Sequence, residues 1–219
     1  MRVRVALVAL TFGTGIVDAV SYLGLGHVFT ANMTGNIVLL GFGLAGTGGL
    51  PVVAPLVSLA AFLVGSGLGG RLARRVAEER RLAAALWIEV VAVGLAAVLA
   101  AIVTVRIGEA CAYAVIALLA FGMGVRNATV RVLAVPDLTT TVLTMTLTGL
   151  AADSPPAGGT GAGSTRRVVA VLAMLAGAFA GALLTKSSLA LPLVCAAVLA
   201  LVVRLAYPSR RDGARQTSG

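Results

Sequence analysis

Charge is scarce in this chain: 11% of its 219 residues are Asp, Glu, Lys or Arg, against about 25% in a soluble domain. Histidine and lysine occur once each, aromatics make up 5%, and the two cysteines, Cys111 and Cys195, lie in separate apolar runs. Each scarcity excludes something. With so few ionisable side chains, a soluble globule cannot build its surface. One histidine and two isolated cysteines give neither metal-ligand spacing nor a disulfide framework, so no metal and no cofactor is expected. The chain has no HExxH, no GxSxG, no carboxylate pair at catalytic spacing and no GxxxxGK[ST] loop, which argues against an enzyme and against direct ATP drive. Seventeen basic residues face eight acidic ones. They form short arginine clusters at the ends of apolar runs, not a basic domain carrying aromatics, so no nucleic-acid partner is expected.

What is present is apolar sequence, 59% of residues with a mean hydropathy of +1.03. At about 20 residues per crossing, the chain reads as an all-α polytopic membrane protein whose first partner is the lipid bilayer. Arg2 and Arg4 ahead of the apolar run from Val5 look like the start of a secretory signal. That run recurs later in the chain, so we read it as a retained first membrane helix.

The recurrence is the most informative pattern. LTFGTGIVDA (10–19) lies over LAFGMGVRNA (119–128), matching Leu10, Phe12, Gly13, Gly15 and Ala19 with Leu119, Phe121, Gly122, Gly124 and Ala128. FTANMTGNIVLLG (29–41) lies over LTTTVLTMTLTGL (138–150), and AFLVGSGLGG (61–70) over AMLAGAFAGA (173–182). Each half then holds four apolar segments, roughly 5–25, 30–46, 51–70 and 84–104, then 110–130, 138–152, 166–185 and 188–206. The second of each set is short and polar. If neither short segment makes a full crossing, fifteen of the seventeen basic residues fall on one side, leaving only Arg106 and Lys186 on the other. The positive-inside rule selects that arrangement. The expected architecture is one integral membrane domain over 1–219 built of two inverted repeats, 1–106 and 107–206. Each repeat has three transmembrane helices plus a broken or re-entrant segment. Both termini are expected to be cytoplasmic, with a disordered tail at 207–219. Interrupted helices in mirrored positions belong to many secondary transporters, where they meet at a central site.

The candidate site residues follow. Asp18 lies deep in the first apolar run, where a charge is costly and needs a partner or water. Its repeat mate is Asn127, and Arg126 stands beside that mate. An Asp18–Arg126 pair is therefore expected, serving either as a static tie or as a proton- or substrate-linked switch. Asn32, Thr34, Gly35 and Asn36 follow as polar groups around a glycine, the composition of a broken helix lining a site. Thr139, Thr140, Thr141, Thr144 and Thr146 are the corresponding hydroxyls, with bonding back to their own helix as the ordinary reading. Glu89 is expected to snorkel to the interface beside Trp87, and His27 to lie at the outer interface or in the broken segment. Gly65/Gly69 and Gly177/Gly181 read as small-xxx-small helix contacts. DSPPAGGTGAGST (153–165) reads as a flexible polar loop.

DAVSYLGLGHVFTANMTGNIVLLG (18–41) resembles the signature of the YoaK-like family of bacterial inner-membrane proteins. GVRNA (124–128) and the threonine-rich run resemble that family's second half. The resemblance implies the fold and an inner-membrane location, and no substrate. The expected function is a small-molecule transporter working by alternating access, with Asp18, Asn32, Thr34, Gly35, Asn36, Arg126 and Asn127 around a central substrate site. The alternatives are a narrow channel, which a homodimer could form, and a non-transporting membrane scaffold.

Overall fold

A computed structural model describes residues 3–133 and 143–206. The helices, in chain order, are α1 (Val3–Gly24), α2 (Met33–Leu44), α3 (Val53–Arg75), α4 (Glu78–Ile102), α5 (Ala110–Leu133), α6 (Leu143–Ala152), α7 (Ser164–Thr185) and α8 (Ala190–Ala206). No strand occurs among the described residues. The tail at 207–219, expected to be disordered, and Thr139, Thr140 and Thr141 lie outside them.

Helices α1, α3, α4, α5 and α7 are long and apolar enough to cross a membrane. α8 has 17 residues and reaches about 25 Å at 1.5 Å per residue. α2 and α6 have 12 and 10 residues, about half of what a 30 Å hydrocarbon layer requires. Leu63, Val91, Leu95, Leu172, Phe179 and Val198 are exposed on the outside of the bundle, as expected where the surrounding medium is lipid. The chain is a multi-pass membrane protein. The segments read from hydropathy reappear with ends moved by a few residues. The largest shift is at α4, which starts at Glu78, ahead of the apolar run, because Glu78 and Glu79 in the first turn suit a helix N-terminus.

Two helix pairs are pressed together through glycine. In α1, Gly15 lies on the main chain of Met174 and Ala178 in α7, while Gly177 and Gly181 lie on Phe12 and Ile16. In α5, Gly124 lies on the main chain of Phe62 and Ser66 in α3, while Gly65 and Gly69 lie on Phe121 and Val125. Both sets advance in step along their two chains, so α1 runs parallel to α7 and α3 parallel to α5. The close approach requires glycine, because a Cβ at these positions would sit inside a neighbouring backbone that cannot yield. The short α3–α4 connection and the stacking of Arg204 over the Trp87 ring at 5.2 Å align the remaining helices. Arg71, Arg74, Arg75, Arg131 and Arg204 gather at one end of the bundle, the arginine-rich end.

Two apolar clusters fill the interior. One, with Val17, Val20, Val93, Ile116, Leu119 and Leu193, occupies the half away from the arginine-rich end. The other, with Leu7, Leu10, Leu82, Leu86, Val130 and Val203, occupies the near half. The 153–165 segment is the loop expected from its composition. It forms a folded turn, with a single 3-10 turn at Pro155–Ala157. The Gly161 N–H donates to the Asp153 carbonyl at 2.8 Å, and the Asp153 carboxylate meets Arg167 at 2.7 Å. Glycines at positive φ, Gly158, Gly161 and Gly163, permit the reversals that a flexible-linker composition also suggests.

Gly65→Val and Gly177→Val should each force a helix pair apart and lower the midpoint of detergent-induced unfolding by about 1–3 kcal/mol or more. Gly67→Val, with open space around its Cβ direction, should leave it unchanged.

Candidate functional site

The α1–α2 connection turns back into the bundle. Asp18 lies six residues before the end of α1 at Gly24, about 9 Å down the helix, and is 5% exposed. Its Oδ1 accepts the backbone N–H groups of Thr30 at 3.1 Å and Ala31 at 2.9 Å. Residues 25–31 therefore descend alongside α1. Asn36 holds the same stretch from the other side. Its Oδ1 accepts the Phe29 N–H at 2.9 Å, and its Nδ2 donates to the Phe29 carbonyl at 2.7 Å. Ser58 of α3 completes the clamp, donating to the Phe29 carbonyl at 2.7 Å and accepting from Asn36 Nδ2 at 3.1 Å. Asn32 caps α2 by accepting the Gly35 N–H at 3.3 Å. Gly35 is required there, because a Cβ would come within 2.8 Å of the Phe29 ring. That ring stacks on Tyr22 at 4.9 Å, and His27, exposed and at φ 57°, meets Tyr22 edge-on.

α2 then rises antiparallel to α3, since Asn36 meets Ser58 while Gly43 packs on Val52. The first turn of α2 thus opens at depth, beside Phe62 and Ser66, 9 and 13 residues into α3 and about 14–20 Å from its start. This is a half-helix preceded by a descending loop. In the second half, Thr148 bonds back to the Thr144 carbonyl at 2.9 Å. Thr146 is buried. Arg167 holds the Gly149 carbonyl at 2.6 Å and ties α6 to α7.

Arg126 is fully buried, and its partner is Glu89, not Asp18. Its Nη1 donates to Glu89 Oε1 at 2.6 Å and to the Leu10 carbonyl at 3.5 Å, while Nη2 donates to Thr14 Oγ1. One guanidinium therefore ties α1, α4 and α5 together. The expected Asp18–Arg126 pair fails because Asp18 sits a turn further along α1 than Thr14, with its carboxylate taken up by backbone N–H groups. The expected interfacial Glu89 is also corrected. It is 3% exposed and 11 residues into α4, not near a helix end.

A cavity of about 820 Å³ lies between the first turn of α2, the second half of α3 and the last turns of α5. Asn32, Thr34, Ser66, Arg74, Asn127 and Arg131 supply its polar lining. Of the seven residues singled out from sequence, the structure brings Asn32, Thr34 and Asn127 onto this surface. Asp18, Gly35 and Asn36 build the re-entrant wall behind it, and Arg126 lies in the bundle interior. Ser58, Ser66, Glu89, Arg74 and Arg131 escaped the sequence reading. Depth counted from the true start of α4 at Glu78 exposes Glu89 as buried, and a buried arginine then asks for it as partner.

The profile of a family described as "Protein of unknown function (DUF1275)" matches residues 6–206. The "UPF0700 transmembrane protein YoaK" of Bacillus subtilis (strain 168) is 35% identical over 154 residues, 68% of this chain and 64% of that protein. The matched region is thus under two thirds of the relative's length. No solved structure matches.

Glu89→Ala leaves Arg126 charged and unpaired, and should destabilise the protein by about 3–5 kcal/mol in detergent-induced unfolding. Glu89→Leu combined with Arg126→Met should restore most of that loss, since the pair's removal also removes its desolvation cost. Asp18→Ala should cost about 1–3 kcal/mol through two backbone donors left without an acceptor.

Proposed function

The chain belongs to the YoaK-like, DUF1275 family, and we propose that it is a small-molecule transporter of the bacterial inner membrane, built from two inverted repeats that alternate access to a central site. The observation that carries this reading is the cavity. It runs from the arginine-rich end to the break ahead of α2, and it draws its walls from α2 and α3 of the first half and α5 of the second. A purely structural bundle gains nothing from so large an open cleft with six polar residues in its lining.

Support for the repeats comes from helix pairing. Exchanging each residue for its mate turns the α3–α5 contacts into the α7–α1 contacts: Phe62 for Met174, Ser66 for Ala178, Gly65 for Gly177, Gly124 for Gly15. On this reading the second unit lies upside down, and the arginine-rich end is cytoplasmic by the positive-inside rule. Arg126 leaves that tally because it is buried, yet Arg106 and Lys186 remain the basic residues of the opposite end. The same exchange maps the cavity's Asn127 onto Asp18 and Arg74 onto Lys186. The present state is open towards the arginine-rich end. In the alternate state a mirrored cavity opens beside α1 and α7, the 25–31 connection lifts, and Asp18 takes the lining position that Asn127 holds here. Asp18 is then the group through which a proton can be coupled to transport.

Purified protein in proteoliposomes should give saturable solute uptake. Thr34→Trp, which fills the cavity from an exposed lining position, should reduce it at least about tenfold, equivalent to 1.4 kcal/mol of lost transition-state stabilisation, while the unfolding midpoint stays put. Asp18→Asn should keep uptake and remove its response to an imposed proton gradient. Flux that rises without saturation assigns a channel instead, and absence of flux for every cavity-binding solute assigns a scaffold.

A further inference from the structure

Arg74 and Arg131 are the charged residues lining the cavity among the described residues, and no described Asp or Glu lines it. Elsewhere Arg126 pairs with Glu89, Arg167 with Asp153 and Arg106 with Glu109. Arg74 and Arg131 have neither an ion pair nor a hydrogen bond among the described residues. Arg74 is exposed on the cavity side of α3 and leans back along the helix as helical side chains do. Its guanidinium lies back over Gly70, one turn earlier and itself part of the cavity wall, with Nη2 3.8 Å from where a Cβ at Gly70 would be. The first turn of α2 faces the same hollow, and its partial positive charge acts in the same sense. Asn32, Thr34, Ser66 and Asn127 add neutral hydrogen-bonding groups. The positive-inside rule accounts for arginine at helix ends, but not for two arginines lining one hollow at the foot of a half-helix with no acidic residue beside them among the described residues.

We infer that the cavity takes a small water-soluble anion, its carboxylate or phosphate group held between Arg74 and Arg131 and the rest of it against Asn32, Thr34, Ser66 and Asn127. About 820 Å³ is within the range of a small-metabolite pocket. This deepens the transport reading and rests on it for the ligand's onward passage. A cleft lined by one sign of charge within low-dielectric walls concentrates the opposite ion about tenfold or more, and that enrichment can be read without knowing the physiological ligand.

The test uses the full chain with Cys111→Ala and Cys195→Ala, carrying Thr34→Cys in the cavity or Thr47→Cys in the exposed α2–α3 connection. Labelling rates are compared for an anionic sulfonate thiosulfonate and its cationic trimethylammonium counterpart. The anion-to-cation rate ratio should be at least about tenfold higher at position 34 than at position 47. Arg74→Gln with Arg131→Gln should bring the two ratios together, and Arg75→Gln, outside the cavity, should change nothing. Inorganic phosphate or glutarate at fixed ionic strength should slow labelling at position 34 saturably, while neutral glutaramide does not. Equal ratios at the two positions, a ratio indifferent to Arg74 and Arg131, or equal protection by glutaramide overturns the inference and leaves the transport reading standing. Protection that appears only on replacing phosphatidylcholine with phosphatidylglycerol overturns the soluble ligand in favour of a lipid headgroup. If neither reagent labels position 34, the cavity is closed to water and both readings fall together.

Discussion

A peptide group outside a helix finds no water in hydrocarbon, and leaving it bare costs several kcal/mol. The break between α1 and α2 exists only because side chains stand in for that water. Asp18 takes two N–H groups, and Asn36 with Ser58 takes the N–H and carbonyl of Phe29. Once those donors and acceptors are satisfied, the chain can reverse at depth. α2 then starts in the middle of the bundle, and the space below its first turn is left unfilled by any helix. The cavity is thus a consequence of the clamp. Remove the clamp, and the economical solution for residues 25–44 is to repack as a continuous apolar segment without a hollow.

The glycine contacts obey a different logic from the polar ones. Gly15 and Gly124, Gly65 and Gly177, Gly69 and Gly181 meet equivalent main-chain atoms in the two helix pairs. Their job is shape, because each lets two backbones meet where a Cβ would not fit. On the repeat reading the polar groups differ between matched places: Asp18 against Asn127, Thr14 against Met123, Val17 against Arg126, Asn36 against Met145. The first half carries the acid that clamps a loop, and the second the base that ties three helices. A shape-determining residue has few acceptable alternatives in a close-packed contact, whereas a polar residue can move wherever a partner is available.

That difference explains what the sequence made legible. Helix number, the short second and sixth helices and the glycine contacts follow from local length and spacing, which hydropathy and repeats report directly. Asp18 announced itself by depth alone. Its partner did not, because pairing it with Arg126 treated the neighbour of its repeat mate as a neighbour in space. In the structure, Asp18 lies towards one end of the bundle and Arg126 a turn or more nearer the arginine-rich end, level with Leu10 and Thr14. Glu89 was misplaced because the apolar run starts at 84 while the helix starts at Glu78, and six residues shift a side chain by about 9 Å. Arg74 and Arg131 were read only as topology signals. No local pattern separates an arginine that marks a membrane face from one that turns back over a cavity wall.

Arg126 also bears on which parts can move relative to which. The α1–α7 and α3–α5 pairs are held by backbone approaches that tolerate no slippage, so an opening at the far end has to arise between the pairs. Arg126 crosses that boundary, reaching from α5 to α1 and to α4. Its contacts differ in kind: 2.6 Å and charge-assisted to Glu89, a close neutral contact to the Thr14 hydroxyl, and 3.5 Å to the Leu10 carbonyl. The short ionic bond is the stronger by a wide margin, while the long one is near the limit of a hydrogen bond. On the alternating-access reading, α5 keeps its tie to α4 and releases α1. Thr14 then turns back onto the Leu10 carbonyl, to which it already donates at 2.9 Å, so α1 loses no backbone satisfaction when it leaves. Glu89 Oε2 and Arg126 Nε, both buried without a partner, provide the spare capacity for the pair to close into a two-point contact once α1 has gone. On that reading the ion pair is a pivot kept in both states, and the Thr14 contact the catch that distinguishes them.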